Sequence, residues 1–374
     1  MAKSSYLWMV LSIIIYLKMV FADPIVPALY VFGDSTADVG TNNNLSVQKR
    51  AKADFPFYGI DFPNSKPTGR FSNGLNTVDF IAQFLGYKRS PLPFVCLVKH
   101  KKRQQSYKRQ LLKGANFASG GAGLQNNTGN FLGDVISFEV QIQQFALVRN
   151  ISSDLLGDVE AKARISKSFL LISVGSNDIF EYFFYKTLPL QEFITTLVSS
   201  YETHLKNLLN LGAKKFAIVG IPPIGCCPFQ RAALNQTAGG GAAATTASGC
   251  LDRMNVAAQM LNTELQSLLQ KLSSQYVDMM YSFGNTFDMT MLVIGDPSGL
   301  EVERACCGKG KIYREGQCEE DSQVCNNRDD FLFWDQFHPT QAASNLSALA
   351  LYTGGLKFVT PINFEQLAQA QLHA

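Results

Sequence analysis

Two short stretches near opposite ends of the chain carry residue types suited to nucleophilic catalysis. Near the start, an apolar run over 29–32 gives way to a turn that carries Ser35. Near the end, Asp335 and His338 stand three residues apart in a loop. A serine hydroxyl is a weak nucleophile near neutral pH and needs a base, usually a histidine oriented by a carboxylate. We therefore predict that these three residues act together, against the simpler interpretation that they serve as turn and cap residues.

His338 is selected by elimination, because the chain contains only four histidines. His100 lies in a cationic run, His204 in the middle of a predicted helix, and His373 one residue from the end. Only His338 has a carboxylate three residues before it, apolar neighbours and a proline after it. Pro339 disfavours the helical conformation in the residue before it and suits the first turn of a following helix. The carboxylate can then reach Nδ1 of the imidazole on one tight loop.

The elements that must position these residues alternate along the chain. Apolar runs that predict strands cover 29–32, 115–118, 169–174, 216–219 and 276–281. Amphipathic patterns that predict helices cover 75–84, 138–148, 190–211, 254–272 and 341–351. Near-continuous apolar strands alternating with amphipathic helices indicate a parallel sheet covered on both faces. We predict an α/β fold: a three-layer α/β/α sandwich around a mostly five-stranded parallel sheet. Residues that follow the strands should gather at one edge.

Two further stretches that follow predicted strands supply hydrogen-bond donors at that edge. Gly120 and Gly121 follow the second strand, and glycines allow the backbone N–H groups to approach a ligand closely. Asn177 follows the third strand and can donate its side-chain NH₂. The competing interpretations are an ordinary turn around Asn177 and a dinucleotide-binding loop around the glycines. The glycine spacing does not fit the dinucleotide fingerprint, so we reject that alternative.

The first 22 residues are typical of a secretory signal peptide. Lys3 is followed by an apolar run over 7–17, which is shorter than the roughly 20 residues that a membrane-spanning helix needs. We therefore expect 1–22 to be removed and 23–374 to form a single exported domain with no membrane span. Loss of Lys3 and Lys18 lowers the formal charge from +3 to +1, so overall charge indicates no anionic partner, and we expect no nucleic-acid binding.

Export places the eight cysteines in an oxidising compartment, where disulfides are the expected chemistry. A zinc cluster in the C-terminal group of four is less favoured, because the spacing matches no common ligand pattern. Two bridges could close the loop over 305–327. Cys250 is predicted to pair with either Cys226 or Cys227, and Cys96 to stay free or pair with whichever of these two remains.

Five Asn-x-Ser/Thr sequons are candidate glycan sites in an exported chain: Asn44, Asn126, Asn150, Asn235 and Asn345. We expect several of them to be used. Asn44 and Asn126 lie close to the predicted site loops, which makes them the less favoured pair.

A basic run extends from Lys99 to Lys113, with seven Lys and Arg residues and no acid. A solvated loop before the second strand is the favoured interpretation. A patch that contacts acidic cell-wall polysaccharide or an anionic lipid surface is the alternative.

Four blocks of the sequence, taken together, resemble those of the GDSL-type esterase/lipase family within the SGNH hydrolases. The blocks are Phe32-Gly33-Asp34-Ser35, the glycine-rich stretch 116–123, Gly175-Ser176-Asn177-Asp178, and Asp335 to Pro339. Three further segments, at 68–74, 220–226 and 305–308, are similar to the secreted plant branch of that family. The blocks occur in family order from Leu29 to Lys357.

The resemblance implies a flavodoxin-like sandwich that hydrolyses carboxylic esters without metal or cofactor. It implies that Ser35 is the nucleophile, His338 the general base, and Asp335 the group that orients the histidine. The chain departs from the family pattern at Thr36, where the family has leucine, and at Thr41, where it has asparagine. Neither position carries the chemistry. The absence of a G-x-S-x-G elbow argues against the ordinary α/β-hydrolase fold.

The resemblance also implies an oxyanion hole built from the backbone N–H groups of Ser35 and a glycine, together with the Asn177 side chain. We expect the glycine to be Gly121, although the adjacent Gly120 makes a shift of one residue possible.

The sequence leaves the ester open among lipid acyl esters, acetylated wall polysaccharides, cutin-type polyesters and small acylated metabolites. The alternative function is a secreted carbohydrate-binding, lipid-binding or defence-related module that keeps the fold but has little turnover. Either protein would be expected outside the cell, in the wall or apoplast.

Overall fold

A computed structural model describes residues 23–99, 104–185, 188–237, 249–310 and 312–371. The predicted signal peptide, 1–22, lies outside the described residues. The central sheet contains the strands β1 (Leu29–Gly33), β2 (Gly114–Asn116), β3 (Phe169–Ser173), β4 (Lys215–Val219) and β5 (Met280–Gly284). These five pair in parallel in the order β2-β1-β3-β4-β5, and Val359–Thr360 adds an antiparallel edge next to β5. The predicted parallel sheet is confirmed.

Successive side chains of a strand point to opposite faces of a sheet, and both faces of this sheet are buried. Tyr30 and Phe32 of β1 point into one apolar cluster, while Leu29 and Val31 point into another. The first face is covered by the helices Phe138–Leu156, Leu190–Asn210 and Asp252–Gln275. The second face is covered by the helices Thr77–Phe84, Gln341–Thr353 and Phe364–Gln369. The result is the three-layer α/β/α sandwich that the alternating pattern predicted.

The predicted fifth strand, 276–281, was wrong in its position. The preceding helix runs on to Gln275, and Tyr276 ends it by donating its N–H to the Leu272 carbonyl. A turn follows in which Asp278 has a φ of +63°, and the strand begins only at Met280. The aromatic and β-branched residues at 276 and 277 therefore belong to the helix end and the turn.

Several elements did not show in the apolar pattern. The other helices are Phe94–Lys99, Gln104–Leu111, Asp158–Lys167, Ser176–Tyr185, Pro228–Thr237 and Thr286–Gly295. Two small sheets also form, one from Glu301–Ala305 with Phe331–Phe333 and one from Cys307–Gly308 with Gln323–Val324. The favoured loop between Lys99 and Lys113 was wrong in its described part, because Gln104–Leu111 is helical; His100 to Arg103 lie outside the described residues.

Three disulfides brace the C-terminal half: Cys226–Cys250, Cys306–Cys325 and Cys307–Cys318. The two predicted bridges across the 305–327 loop are confirmed, and Cys250 pairs with Cys226 rather than with Cys227. Cys96 and Cys227 are free thiols. The N–H groups of Cys306 and Cys307 donate to the carbonyls of Phe333 and Trp334, so the bridged loop supports the segment that leads directly to Asp335.

Candidate active site

Ser35 lies in the turn that follows β1, at the carboxyl edge of the sheet. Gly33 has a φ of +142°, and a Cβ there would lie 2.0 Å from the Ser173 carbonyl oxygen, so the turn requires glycine. The buried side chain of Gln141 accepts from the Gly33 N–H at 2.9 Å and donates to its carbonyl at 2.8 Å. Asp34 accepts from the backbone N–H and the hydroxyl of Thr36. The backbone around Ser35 is thereby held on both sides.

Ser35, His338 and Asp335 form one chain of hydrogen bonds. Nε2 of His338 lies 2.7 Å from Oγ of Ser35, and Nδ1 lies 2.9 Å from both carboxylate oxygens of Asp335. The backbone N–H groups of Phe337 and His338 also donate to Oδ1 of Asp335, each at 2.8 Å. The loop from Asp335 to His338 is therefore as tight as the sequence predicted. Thr340 then caps the next helix by accepting from the Ala343 N–H.

The Asp335 carboxylate has an additional partner that the sequence analysis missed. The hydroxyl of Tyr58 donates to Oδ2 of Asp335 at 2.8 Å, and both side chains are buried. Tyr58 packs edge-on against Phe71, and the Phe71 ring lies 4.8 Å from the His338 ring. In the sequence, Tyr58 lies in an aromatic run with Phe55 and Phe57, and this run carries no mark of a catalytic site.

The electrostatics of Asp335 decide which nitrogen of His338 holds the proton. Burial by itself raises the pKa of the Asp335 carboxyl. Three effects outweigh burial: the charge of His338, the hydrogen bond from the His338 ring, and the hydrogen bonds from the backbone N–H groups of Phe337 and His338. The pKa of the Asp335 carboxyl therefore lies below its ordinary value. An ionised carboxylate only accepts hydrogen bonds. We therefore assign the proton of the neutral imidazole to Nδ1, which leaves the Nε2 lone pair facing Ser35.

Three possible donors converge near Ser35. Among the described residues, the N–H groups of Ser35 and Gly121 donate to no protein acceptor, and both residues line the same cavity. The N–H of Gly120 is already used, because it donates to Oδ2 of Asp38 at 3.1 Å. Asn177 also lines the cavity, and its Nδ2 donates one proton to the Ala122 carbonyl at 2.9 Å. The arrangement leaves Gly121, rather than Gly120, available as a donor to a ligand.

Two buried carboxylates fix the ends of this glycine segment, and the sequence analysis assigned neither of them a role. At one end, Asp38 accepts from the N–H groups of Gly40, Thr41, Asn42 and Gly120. Burial raises the pKa of Asp38 to about 6 despite these hydrogen bonds.

At the other end, Asp178 accepts from the N–H groups of Leu124 and Gln125 and from the Thr128 hydroxyl. Burial raises the pKa of Asp178 to about 6 as well. His204 is not the predicted catalytic base, but its Nε2 forms a hydrogen bond with the Leu124 carbonyl at 2.9 Å. His204 therefore helps to hold the same segment.

Ser35 and His338 open onto a cavity of about 560 Å³, which is within the range of small-molecule sites. Seven phenylalanines contribute to its lining: Phe71, Phe131, Phe180, Phe184, Phe229, Phe333 and Phe337. Within the described ranges, no group of three or more His, Cys, Asp or Glu side chains could hold a metal ion. Because seven phenylalanines contribute to its lining, the cavity can accept a largely apolar ligand with the reacting carbon of that ligand beside Ser35.

A parallel α/β sheet with a Ser–His–Asp chain and free N–H donors at its carboxyl edge is an arrangement suited to ester hydrolysis. The GDSL-like Lipase/Acylhydrolase family model matches residues 29–351. One GDSL esterase/lipase of Arabidopsis thaliana is 33% identical, with 98% of this chain and 97% of the relative covered. Another from Arabidopsis thaliana is 36% identical, with 93% of each chain covered.

The chain therefore belongs to the GDSL-like lipase/acylhydrolase family, and it is a carboxylic ester hydrolase. Among solved structures, phospholipase A1 from Streptomyces albidoflavus NA297 aligns with 86% of this chain and 96% of its own, with a TM-score of 0.36 and 13% identity. That likeness is too loose to add to the family assignment.

Removal of the Tyr58 hydroxyl should slow turnover without changing substrate binding. A hydrogen bond to a charged group contributes about 1.5–3 kcal/mol, so we expect Tyr58→Phe to lower kcat by about tenfold or more while KM stays within about twofold. Steady-state kinetics on a soluble ester would measure this. Tyr87→Phe is the matched control, because the Tyr87 hydroxyl donates to the Val26 carbonyl and does not line the cavity. A wild-type kcat for Tyr58→Phe would show that the hydroxyl does not support Asp335.

The raised pKa of Asp38 predicts a pH-dependent contribution to stability. The folded protein takes up a proton at Asp38 at a higher pH than the unfolded chain does. Wild type should therefore gain stability relative to Asp38→Asn as the pH falls from about 6 towards the ordinary pKa of 3.8. The gain should approach about 1.4 kcal/mol per pH unit, measured by urea unfolding of both proteins across that window. A difference between the two proteins that does not change with pH would contradict the buried, ionisable state of Asp38.

Proposed function

We propose that this protein is a serine esterase that works through an acyl-enzyme, with Ser35 as nucleophile, His338 as general base and Asp335 as the group that orients the imidazole. The observation that carries the proposal is the 2.7 Å contact between His338 Nε2 and Ser35 Oγ, with Nδ1 of the same ring on Asp335. Family membership supports the reaction class, and the contact supports these residues as the ones that perform it.

In the first half of the reaction, Ser35 Oγ forms a bond to the ester carbonyl carbon while His338 Nε2 takes its proton. The carbonyl oxygen becomes an oxyanion, which accepts hydrogen bonds from the N–H groups of Ser35 and Gly121 and from Nδ2 of Asn177. Collapse of this intermediate breaks the bond to the leaving oxygen, and His338 gives that oxygen its proton. The alcohol departs and the acyl group stays on Ser35.

In the second half, water attacks the acyl-enzyme while His338 accepts a proton from the water. The same three donors stabilise the second oxyanion. Collapse breaks the bond to Ser35 Oγ, which recovers its proton from His338, and the carboxylic acid leaves. Asp335 remains ionised throughout and stabilises the imidazolium that forms at each step.

The lining of the cavity supports an ester with a sizeable apolar part. Seven phenylalanines line the same cavity as Ser35, and burial of apolar surface contributes about 25 cal/mol per Å². A bare acetyl ester would leave most of this surface uncovered. An apolar acyl or aryl group would fill it.

We further propose that 23–374 acts as one exported domain after removal of 1–22. The disulfides fit an oxidising compartment. Among the described residues, no helix is long and apolar enough to cross a bilayer. The wall or apoplast remains our predicted location. Contact with acidic polysaccharide through the run from Lys99 to Lys113 likewise stays a prediction, with Lys99, Arg109 and Lys113 exposed.

Asn150 and Asn345 are exposed, and we propose these two as the glycan sites. Asn126 is exposed as well, but its amide donates to the Glu139 carboxylate, which disfavours modification. Asn44 is half-buried, and its amide donates to the Gly40 carbonyl and to Cys96 Sγ, which disfavours modification. The side chain of Asn235 lies outside the described residues.

Two substitutions separate the nucleophile from the oxyanion donors. Ser35→Ala should abolish hydrolysis of para-nitrophenyl butyrate. Asn177→Ala should lower kcat by roughly 10²–10³-fold, because one donor to the oxyanion is lost, and should leave the unfolding midpoint close to that of wild type. Asn207→Ala, at an exposed helix position, is the matched control and should behave as wild type.

Each outcome of this experiment has a defined meaning. Unchanged turnover by Asn177→Ala would remove Asn177 from the oxyanion hole. Turnover that survives in Ser35→Ala would overturn the proposed mechanism. A folded wild-type protein that hydrolyses no ester would favour the alternative of a binding module.

A further inference from the structure

Two cations stand beside the proposed catalytic histidine and have no role in the mechanism above. Arg50 lines the main cavity together with Ser35 and His338. Arg50 and Lys52 also line an adjoining hollow of about 20 Å³, whose other walls include Asp335 and His338. We refer to Arg50 and Lys52 as the cationic pair.

The cationic pair is not neutralised by nearby protein groups. Within the described ranges, neither side chain forms an ion pair or a side-chain hydrogen bond. The guanidinium of Arg50 lies 5.0 Å from the centre of the Phe131 ring, which orients it while leaving its N–H donors unused. A charged group in this state is well placed to bind an anion from solution.

The other acids around the main cavity have different partners. Asp34 accepts from Thr36. Glu315 accepts from the Tyr313 N–H at 3.3 Å, and its carboxylate lies against Gly310. Asp335, which lines the small hollow, is engaged by His338 and Tyr58. None of these carboxylates forms an ion pair with Arg50 or Lys52 among the described residues.

The mechanism specifies which part of the substrate reaches the cationic pair. His338 Nε2 must protonate the departing oxygen, so the alcohol part of the ester lies on the His338 side of Ser35. Arg50 lines the main cavity together with Ser35 and His338, and Lys52 lies next to Arg50 in the adjoining hollow. We propose that Arg50 and Lys52 form a subsite for an anionic group, a carboxylate or a phosphate, carried by the alcohol part of the ester. This inference rests on the proposed function.

The chemistry of the two side chains suits such a group. An arginine fork binds carboxylate and phosphate in bidentate fashion, and a lysine ammonium adds a compact charge next to it. Because the subsite opens to solvent, its contribution should weaken as salt is added. An anionic ester would bind with its acyl part among the phenylalanines and its charge at the cationic pair.

The test compares pairs of esters in which one member carries an anionic group on its alcohol part and the other does not. The butyrate ester of para-hydroxybenzoate is matched with that of para-hydroxybenzamide, and butyryl glycerophosphate with monobutyrylglycerol. The first pair reports on a carboxylate and the second on a phosphate. For each pair, the measured quantity is the ratio of kcat/KM for the anionic ester to kcat/KM for the neutral one, at low salt and at high salt.

We expect wild type to favour the anionic ester in at least one pair, with the ratio falling as salt is added. Arg50→Gln and Lys52→Gln should each lower that ratio by about three- to tenfold, and the double variant by more. Lys49→Gln is the matched control. It removes the same charge from the adjacent position, but Lys49 stacks over Phe55 and lines neither hollow, so the ratio should stay at the wild-type value.

The possible failures are distinguishable. If the neutral esters are hydrolysed through Ser35 but the ratio is the same in wild type and the double variant, the anionic subsite is wrong and the proposed function stands. If Lys49→Gln lowers the ratio as much as Arg50→Gln does, the effect is overall charge, and the subsite is again wrong. If no ester is hydrolysed, the proposed function itself fails.

Discussion

The buried carboxylate of Asp335 is the interaction on which the site depends. A charge in the interior of a protein is unfavourable unless it is paired and hydrogen bonded. Asp335 receives hydrogen bonds from the Tyr58 hydroxyl, from two backbone N–H groups of its own loop and from the His338 ring. Compensation of that charge therefore determines both the loop conformation and the orientation of the imidazole. Ser35 lies 303 residues before His338 in the chain. It meets the His338 ring because β1 ends at the same edge of the sheet.

The same constraint applies to the glycine segment next to Ser35. Glycines allow close approach of the backbone but do not hold a conformation by themselves. The Asp38 and Asp178 carboxylates hold the segment at its two ends by hydrogen bonds to backbone N–H groups. Their raised pKa values, about 6 for each, mean that these hydrogen bonds do not fully offset the cost of burial. Near neutral pH, the ionised Asp38 and Asp178 carboxylates therefore lower the stability of the fold, while their hydrogen bonds hold the glycine segment and its N–H donors in place.

Local pattern was enough to predict the sheet and the positions that follow its strands. Apolar runs marked four of the five parallel strands to within a few residues, and scarcity of histidine isolated His338. The apolar pattern failed at Tyr276, where a helix end and a turn carry residues typical of strands. It also failed at Val359–Thr360, because a strand of two residues is too short to show alternation. It also could not pair cysteines, because Cys226 and Cys227 are equivalent in sequence and differ only in tertiary position.

The supporting residues of the site were not predictable for a related reason. Gln141 lies within a predicted helix and Tyr58 within an aromatic run, and neither has a sequence neighbour that marks its partner. Their partners, Gly33 and Asp335, are remote in the chain and become neighbours only when the layers pack. Residues that perform the chemistry can be recognised by type, whereas residues that position them are recognised by contact.

The central claim, that Ser35 is activated by His338, can be tested by covalent labelling. A fluorophosphonate releases fluoride when an activated serine attacks its phosphorus, and the adduct can be located by peptide mass spectrometry. The account predicts one adduct, on Ser35, formed far more slowly in His338→Ala and absent in Ser35→Ala. An adduct on another cavity serine, such as Ser176, with Ser35 left unmodified would contradict it.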